Sequence, residues 1–417
     1  MLSAKSTATV RATLPAVGAA IGTITECFYE RLFAAHPELL RDLFNRGNQA
    51  AGLQKQALAG SIAAFATHLV DHPEDRPDVM LNRIAHKHAS LGVTADQYEI
   101  VHRHLFAAIA EVLGGWGLPC SNEAESLGNL TPEVAAAWDE VYWLMANALI
   151  AIETRLYEEQ GVLAGDVWRE WTVAGRTEET ADCATFRLRP ADGAPAPAFK
   201  AGQYVSVQVE LPDGARQIRQ YSLISAPGSE LRSITVKRVQ GDPDGEVSGH
   251  LHAHVREGDR LRVSAPYGDL VLDTGLDAGP DSGAAPLLLA SAGIGCTPML
   301  AMLEELVAAG HRAPVTVVHA DRSPAEHPLR DDHAALTAKL PDAAAHFWYE
   351  TPEPGHPADR TGLVDLTTLP VPSGTRAYLC GPLPFMRAVR TQLLAKGVAA
   401  ADIHYEVFGP DLWLAQD

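Results

Sequence analysis

Two short segments of the chain carry residue types that suit redox cofactors. Arg219–Leu223 comes after a run, 204–210, with the alternation of a half-buried strand. Its arginine can neutralise a diphosphate, its tyrosine can lie against a flat ring, and its serine hydroxyl can hydrogen-bond a ring nitrogen. Gly293–Met299 follows the apolar strand 287–290 and opens a helix at Pro298, where backbone N–H groups can bind a pyrophosphate. This order predicts a flavin-type site followed by a nicotinamide-type site.

Size and composition limit the classes of protein to which the chain can belong. At 417 residues, it has room for roughly three domains of about 150 residues. Its net charge of −19 argues against a nucleic-acid partner, since phosphate binding needs clustered Lys and Arg. No apolar run reaches the ~18 residues that span a bilayer, so we expect no stable membrane association. Five cysteines without a CxxC pair suit a reducing compartment, and we expect a cytoplasmic monomer.

The apolar pattern divides the chain into three predicted domains, 1–160, 166–274 and 284–417. Throughout the first, apolar residues recur at three- and four-residue steps, as amphipathic helices require. Thr94 with Gln97 predicts a capping box, and Thr131 predicts the start of a last long helix. Strand alternation prevails in the second domain. In the third, beyond a turn-rich linker at 275–283, strands alternate with helices and predict a parallel sheet.

A helical domain on the same chain as an electron-delivery module suggests an electron acceptor, and haem is the obvious candidate. The iron ligand would come from helix 78–91, where His86 and His88 point about 200° apart. His88 is in phase with the apolar residues Leu81 and Ala85. A histidine on an apolar face is more often a core residue, so the helix alone does not decide. The other histidines, including those past residue 250, show no metal-type cluster and are expected to be surface or structural.

Longer motifs in the chain resemble a known family. The two opening segments, with Tyr378–Pro382, resemble the ferredoxin-reductase-like modules that bind FAD and NAD(P)H, and His404–Pro410 resembles the ending found in flavohaemoglobins. The helical part resembles a globin in the order and spacing of Tyr29, Pro37, Phe44, Gln54 and His88. The resemblance covers the whole chain and implies the cofactors haem b, FAD and NAD(P)H. The implied fold is an all-α globin, an antiparallel β-barrel FAD domain and an α/β NAD(P)H domain with a parallel sheet.

On the proximal side of the haem, the resemblance implies roles for three residues. His88 would be the iron ligand. Tyr98 and Glu153 would hydrogen-bond its far nitrogen, orienting the imidazole and making it a stronger electron donor. From the residues alone, Tyr98 could equally be a core aromatic and Glu153 part of a solvated helix face.

On the distal side, the resemblance implies that Tyr29 donates a hydrogen bond to bound O2, with Gln54 as an auxiliary donor. Leu58, one helical turn after Gln54, would crowd the ligand, and Phe44 would wedge against the porphyrin. An apolar pocket with one or two donors suits O2 bound to iron. From the residues alone, Tyr29 could equally be a packing residue, because it adjoins the apolar stripe of its helix.

For FAD, the resemblance implies contacts from Arg219, Tyr221 and Ser222. A helix that begins near residue 245 would hold the pyrophosphate with its N–H groups and with Ser248 as a cap. Phe408 would lie over the flavin where nicotinamide must arrive. The other implied FAD residues are Tyr204, Gln220, Gly245 and Val247.

For the nicotinamide nucleotide, the resemblance implies two turns that form opposite walls of one site. Their residues are Gly293, Gly295, Thr297, Pro298, Cys380, Gly381 and Pro382. The adenosine ribose is expected beside Asp321, which suits a 2′-hydroxyl, as in NADH, whereas Arg322 and Ser323 suit a 2′-phosphate. The choice between NADH and NADPH stays open.

The resemblance implies an NAD(P)H-dependent nitric oxide dioxygenase, in which electrons pass from NAD(P)H through FAD to haem and the small molecules O2 and NO combine to nitrate. Two alternatives stay open. The chain could be a haem-based gas-binding or redox-sensing protein that its reductase half keeps ferrous, or a flavin reductase for a separate acceptor. The connection over 107–131 is long for this family and carries no functional prediction.

Overall fold

The computed structural model describes residues 1–114, 131–273, 284–351 and 359–412. The chain folds into two compact units. The first comprises Met1–Val167, Pro212–Ile218 and a segment that begins at Gly409, and the second comprises Trp168–Leu211 and Arg219–Phe408. The central part of the 107–131 connection and the whole 275–283 linker lie outside the described residues. The three domain boundaries drawn from the sequence stay predictions.

The first unit is helical, as the apolar periodicity predicts. Its helices in the described ranges are α1 (Ala4–Ala35), α2 (Pro37–Asp42), α3 (Arg46–Ala50), α4 (Leu53–Asp71), α5 (Asp78–Leu91), α6 (Ala95–Val112) and α7 (Pro132–Gln160). α1 packs against α4, α6 and α7, and α5 packs against α7. The interior includes Phe28, Leu32, Leu81 and Trp138, none of them more than 5% exposed. Burial of these large apolar groups is the main force that holds the helices together.

Helix ends lie where the sequence predicts them. The side chains of Thr94 and Gln97 form the capping box at the start of α6. Oγ1 of Thr131 accepts a hydrogen bond from the N–H of Val134 at 3.3 Å at the start of α7. These bonds satisfy N–H groups that have no partner inside a helix. α5 ends at Gly92, whose φ of 78° favours glycine. The caps thus set the ends of the helices that carry the predicted proximal residues.

Two segments from distant parts of the sequence complete the first unit. Nε2 of Gln217 donates a hydrogen bond to the carbonyl oxygen of Arg41 at 3.0 Å. Nζ of Lys87 donates to the carbonyl oxygen of Gly409 at 2.6 Å. The apolar pattern does not predict these contacts, because a bond to a backbone carbonyl needs no particular residue type at the acceptor.

The second unit begins with an antiparallel sheet. Its elements are β1 (Trp168–Glu178), β2 (Cys183–Pro190), β3 (Tyr204–Glu210), β4 (Arg216–Ser222), β5 (Arg232–Lys237), α8 (Glu246–His254) and β6 (Arg260–Ser264). The strand order is β4-β3-β6-β1-β2-β5. A bridge between Leu223 and Ile234 joins the two edge strands, and the N–H of Ile224 donates to the carbonyl oxygen of Ser233 at 2.9 Å. The sheet therefore closes into the predicted barrel.

The half-buried alternation predicted for 204–210 is wrong. Every residue of β3 except Glu210 is buried, so both faces of this strand are covered. Its polar side chains are satisfied inside the protein: Arg262 donates to Oε1 of Gln208 at 2.5 Å. Nε2 of Gln220 donates to Oγ of Ser206 at 3.1 Å. Alternating polar residues mark an exposed face only when no other element packs on it, and here α8 contacts β3.

The rest of the second unit is the predicted parallel sheet with helices. Its elements are β7 (Leu287–Ala292), α9 (Cys296–Ala308), β8 (Val315–Asp321), α10 (Arg330–Lys339), β9 (Ala343–Tyr349), β10 (Asp359–Thr361), β11 (Arg376–Cys380), α11 (Leu383–Ala395) and β12 (Ile403–Glu406). All neighbouring strands are parallel, in the order β10-β9-β8-β7-β11-β12. α9 begins two residues before Pro298, after a 3-10 turn over Gly293–Gly295. The chain order reverses between β7 and β11, where sheets of this kind bind ligands.

Within the described parts of the chain, none of the helices combines the length and the apolar character that a membrane crossing requires.

Candidate cofactor sites

Three side chains from α5, α6 and α7 meet inside the helical unit. Nδ1 of His88 lies 2.9 Å from the hydroxyl oxygen of Tyr98 and 2.9 Å from Oε1 of Glu153. The Tyr98 hydroxyl donates to the same Oε1 at 2.5 Å. Glu153 is only 2% exposed, so it does not lie on a solvated helix face. The structure thus brings together the three residues predicted for the proximal side.

These contacts determine which nitrogen of His88 can bind a metal. Oε1 of Glu153 accepts a hydrogen bond from the Tyr98 hydroxyl, and a carboxylate has no proton to donate. Nδ1–H of His88 is therefore the donor in the bond between His88 and Glu153. Burial and the charge of Glu153 raise the pKa of Tyr98, which keeps its hydroxyl protonated. The lone pair of the imidazole then lies on Nε2, which bonds no other side chain in the described ranges. A histidine held in this way fits an iron ligand.

Two of the predicted distal residues, Phe44 and Gln54, lie beside Tyr29, which is 4% exposed. Its ring lies edge-on to that of Phe44, with 5.9 Å between the ring centroids. Burial raises the pKa of Tyr29 far above its usual range, against the smaller opposing effect of the nearby side-chain amides of Gln54 and Gln49. The hydroxyl is therefore protonated at neutral pH and can donate. Leu58, on α4 like Gln54, is half-buried.

Gln49 is a candidate that the sequence did not indicate. It lies on the five-residue helix α3, which is too short for its periodicity to define a face. Its Nε2 is buried and, in the described part of the chain, has no hydrogen-bond partner of good geometry. An unsatisfied buried donor costs about 1 to 3 kcal/mol. A ligand that accepts a hydrogen bond beside Tyr29 would therefore be favoured by Gln49 as well as by Gln54.

The predicted flavin residues lie where β4 ends and β3 begins. Tyr204 opens β3 and exchanges backbone hydrogen bonds with Tyr267 at 2.8 and 2.9 Å. Tyr221 packs against the barrel core, and burial raises its pKa. Oγ of Ser222 is buried and has no hydrogen-bond partner among the described residues. An orphaned hydroxyl that directly follows a tyrosine in the chain, with Arg219 three residues before it, fits the edge of a flavin.

Two of the residues predicted to contact FAD make hydrogen bonds inside the protein. Gln220 bonds to β3 as described above, which ties β4 to its neighbour. Ser248 is not a helix cap, because Gly245 occupies that position. Oγ of Ser248 accepts from the N–H of Val239 at 3.1 Å and donates to the carbonyl oxygen of Gly245 at 3.3 Å. The first turn of α8, with Val247, still presents N–H groups that have no helical partner.

Replacing Ser222 with alanine is expected to slow the reduction of bound FAD by NAD(P)H roughly two- to tenfold, the effect of one hydrogen bond of about 0.5 to 1.5 kcal/mol. Stopped-flow flavin bleaching measures this rate. Ser264→Ala is the matched control, because this buried hydroxyl donates inside the barrel, to the carbonyl oxygen of Ala265 at 2.7 Å. Equal reduction rates in both variants and wild type would remove Ser222 from the flavin site.

The predicted nicotinamide residues lie in two turns that touch. A Cβ at Gly295 would lie 2.3 Å from the carbonyl oxygen of Cys380, so only glycine allows this approach. Gly293 has a φ of 53°, a conformation that favours glycine. Gly381 and Pro382 follow β11, and Pro382 precedes the first residue of α11. The turn after β7 and the turn after β11 thus form one crevice at the point where the strand order reverses.

Other predicted residues of this region support the turns. Thr297 is buried and donates from Oγ1 to the carbonyl oxygen of Ile294 at 2.9 Å, so it holds the turn. Pro298 is buried in α9.

Burial, and to a smaller extent the nearby Glu406, raise the pKa of Cys380, so its thiol stays protonated. Phe408 is 47% exposed, an unusual exposure for a large aromatic side chain.

The residues that would distinguish NADH from NADPH are engaged with protein groups. Oδ1 of Asp321 accepts from the N–H of Arg322 at 2.8 Å. Arg322 pairs with Glu326, and Ser323 donates to the same carboxylate at 3.1 Å. A 2′-phosphate would have to compete with Glu326 for both groups.

The expectation that the histidines past residue 250 form no metal-type cluster is wrong. His319, His327 and His333 are buried, and each offers a nitrogen within 4.8 Å of the others. They come from β8, from the loop after it and from α10. Their separations of eight and six residues match no metal-binding motif, so only the packing of these elements reveals the cluster.

Three family models match successive parts of the chain. They are the globin family at residues 26–126, the oxidoreductase FAD-binding domain at 170–272 and the oxidoreductase NAD-binding domain at 289–391.

Relatives match nearly the whole chain. A flavohemoprotein of Rhizobium meliloti (strain 1021) is 39% identical over 425 residues, which cover 99% of this chain and 100% of the relative. The crystal structure of a flavohemoglobin from Malassezia yamatoensis with bound FAD and haem matches with a TM-score of 0.86 and 38% identity, and covers 98% of this chain and 100% of that one. The FAD/NAD-binding domain of a nitric oxide dioxygenase from Vibrio cholerae O1 biovar El Tor matches with a TM-score of 0.53 and 37% identity, over 58% of this chain and 99% of that one.

Proposed function

This chain belongs to the flavohaemoprotein family, and from that premise we propose that it is an NAD(P)H-dependent nitric oxide dioxygenase. It is an oxidoreductase with haem, FAD and NAD(P)H as cofactors. The name of the Vibrio cholerae relative supports the proposed reaction, because its FAD/NAD-binding part is 37% identical to this chain.

The observation that carries the proposal is that the globin unit contains two sets of buried polar side chains, one around His88 and one around Tyr29. His88, with Tyr98 and Glu153 on its far nitrogen, suits an electron-rich iron ligand that favours the activation of O2. On the other side, Tyr29 is a buried, protonated donor with an amide beside it. A globin that only stores O2 needs no FAD-binding and NAD-binding domains on the same chain.

The electron balance explains why the chain has three kinds of domain. Conversion of one NO and one O2 to nitrate consumes one electron, whereas a hydride from NAD(P)H carries two. One NAD(P)H therefore supports two conversions and leaves two nitrate ions, NAD(P)⁺ and a proton. When bound, FAD takes up the hydride and releases single electrons, for which haem iron is the acceptor.

Each protein group has a role that its position allows. Ser222 and Tyr221 would hold the flavin ring, and the crevice at Gly295 and Cys380 would bring the nicotinamide to it. Tyr29 would donate a hydrogen bond from its hydroxyl to O2 in the haem pocket. Glu153 would keep His88 in one tautomer throughout turnover.

The test is consumption of NO by the purified protein with haem and FAD bound. We expect rapid NO loss that needs both O2 and NAD(P)H, with two nitrate ions formed per NAD(P)H oxidised. Parallel assays with NADH and NADPH establish the nucleotide preference. Omission of O2 or of nucleotide is the control, and each omission should abolish nitrate formation.

The alternatives give different results in the same assay. A gas-binding or redox-sensing protein would bind NO without NO-dependent oxidation of NAD(P)H. A flavin reductase for a separate acceptor would show flavin absorption without a Soret band and would reduce an added acceptor at the same rate with or without NO. Either pattern would overturn the dioxygenase proposal.

A further inference from the structure

We propose that His319, His327 and His333, with Asp321 beside His319, form a binding site for a zinc-type transition metal ion in the NAD-binding domain. The site lies apart from the residues assigned to haem and flavin, and it does not depend on the proposed activity. It ties together β8, the loop after it and the start of α10.

The spacing of the nitrogens suits direct coordination. One donor nitrogen from each of the three rings lies within 4.8 Å of the other two. Nε2 of His327 and Nδ1 of His333 are 3.3 Å apart. Two imidazole nitrogens on a tetrahedral zinc ion, each about 2.0 to 2.1 Å from the metal, are also about 3.3 Å apart. This pair is thus already at the separation that a shared metal ion requires.

Polar atoms at the cluster are buried without hydrogen-bond partners. Among the described residues, Nε2 of His319 and Oδ2 of Asp321 have none. Nε2 of His319 and Oδ2 of Asp321 are 3.6 Å apart, and both side chains are almost fully buried, at 0% and 4% exposed. Buried polar atoms are nearly always satisfied in proteins, and a cation held at the cluster would satisfy both of these atoms.

Neighbouring hydroxyls hold two of the rings by their other nitrogen. Nδ1 of His319 lies 2.9 Å from Oγ of Ser291, and Nδ1 of His327 lies 2.9 Å from the hydroxyl of Tyr349. Histidines that bind metals almost always bond a second group through the far nitrogen. In the tautomer with the proton on Nδ1, both hydroxyls accept that proton and both Nε2 lone pairs are left for a metal.

The charges of the cluster select the kind of ion. Burial lowers the pKa of His319, His327 and His333, so the three imidazoles are neutral, as metal binding requires. Asp321 supplies one negative charge to offset a divalent cation. Three nitrogen ligands suit zinc and its neighbours in the transition series, whereas magnesium and calcium prefer oxygen ligands.

The competing explanation is that the cluster is only packed aromatic rings. The rings of His319 and His327 are stacked, with centroids 3.7 Å apart and planes inclined by 17°, and the ring of Phe347 lies edge-on to that of His327. Zinc binding would require the two stacked rings to turn so that both lone pairs converge. The two explanations therefore differ in a measurable way.

The experiment is equilibrium dialysis of the full-length, tag-free protein with haem and FAD bound against Zn²⁺, followed by metal analysis. We expect wild type to bind one zinc ion per chain more than His333→Gln. The zinc affinity of the variant should fall by about 10- to 100-fold or more, because loss of a residue that only hydrogen-bonds a metal ligand already has that effect. His311→Gln is the matched control, because His311 is also buried in the NAD-binding domain but outside the cluster. It should bind zinc like wild type.

Equal zinc content in wild type and His333→Gln would overturn the proposal and leave packed neutral imidazoles as the explanation. If His333→Gln does not fold, wild-type crystals soaked in Zn²⁺ decide the question. Anomalous scattering at the zinc edge should then lie between His319, His327 and His333. A zinc peak elsewhere, or none, would also overturn the proposal.

Discussion

Replacing His88 with alanine is expected to yield a protein that holds FAD but not stoichiometric haem. Tyr98 and Glu153 engage Nδ1 of His88, so the change removes Nε2, the ring nitrogen that is left to bind iron. Loss of this ligand should weaken haem binding by about tenfold or more. It also leaves the buried Glu153 with one hydrogen-bond donor fewer, so some loss of stability should accompany the loss of haem. The ratio of Soret to flavin absorbance in the purified protein measures the effect.

His86→Ala is the matched control for this experiment. The two histidines lie two residues apart on α5 and therefore point about 200° apart. We expect His86→Ala to keep one haem per chain. Haem loss in His86→Ala with haem retained in His88→Ala would show that the wrong face of α5 has been assigned to the haem.

Replacing Tyr29 with phenylalanine is expected to speed O2 dissociation from the reduced protein about tenfold or more. The ring and its contact with Phe44 stay, and only the buried hydroxyl is lost. A hydrogen bond contributes about 0.5 to 1.5 kcal/mol, and somewhat more to a polarised acceptor, while about 1.4 kcal/mol is a factor of ten. Flash photolysis or stopped-flow displacement of O2 measures the rate. NO turnover at limiting O2 should fall with it.

The position of Gln49 adds a detail to this expectation. Because Gln54 and Gln49 both lie at the Tyr29 hydroxyl, an amide can take over part of its role in the variant. A double variant, Tyr29→Phe with Gln49→Leu, should therefore lose O2 faster than Tyr29→Phe alone. Equal rates in the two variants would show that Gln49 does not reach O2.

Tyr157→Phe is the matched control for the tyrosine. Its hydroxyl is also in the globin unit but donates to the carbonyl oxygen of Val93 at 2.7 Å. We expect a small loss of stability and an unchanged O2 dissociation rate. If Tyr29→Phe behaves in the same way, Tyr29 is a packing residue and the dioxygenase proposal loses its main distal support. Reduction of FAD by NAD(P)H should be unchanged in both variants.

Local chemistry explains which structural features the sequence predicts well. The capping box of Thr94 and Gln97 and the cap at Thr131 form where predicted, because both depend on residues three apart. The parallel sheet also follows from local alternation of strands and helices. Alternation failed for β3, because the elements that cover its second face are distant in sequence.

The cofactor sites show the same division. Helix phase favours His88 over His86, but no periodicity brings Glu153 to it, since the two are 65 residues apart and meet only when α5 packs on α7. Ser248 looks like a cap in the sequence, yet its hydroxyl bonds to Val239 and Gly245 because the loop before α8 folds back over it.

The motifs, and the family resemblance that they carry, indicate the order of the domains, the cofactors and the candidate ligands, because motifs and short-range periodicity record chemistry within one helix or one turn. Which candidates meet depends on the tertiary fold. It paired His88 with Glu153, placed Gln49 beside Tyr29, and gathered His319, His327 and His333 from a strand, a loop and a helix. The physical reason is that such contacts depend on how whole elements pack, and packing is set by many weak apolar interactions at once, none of which leaves a spacing that can be read along the chain.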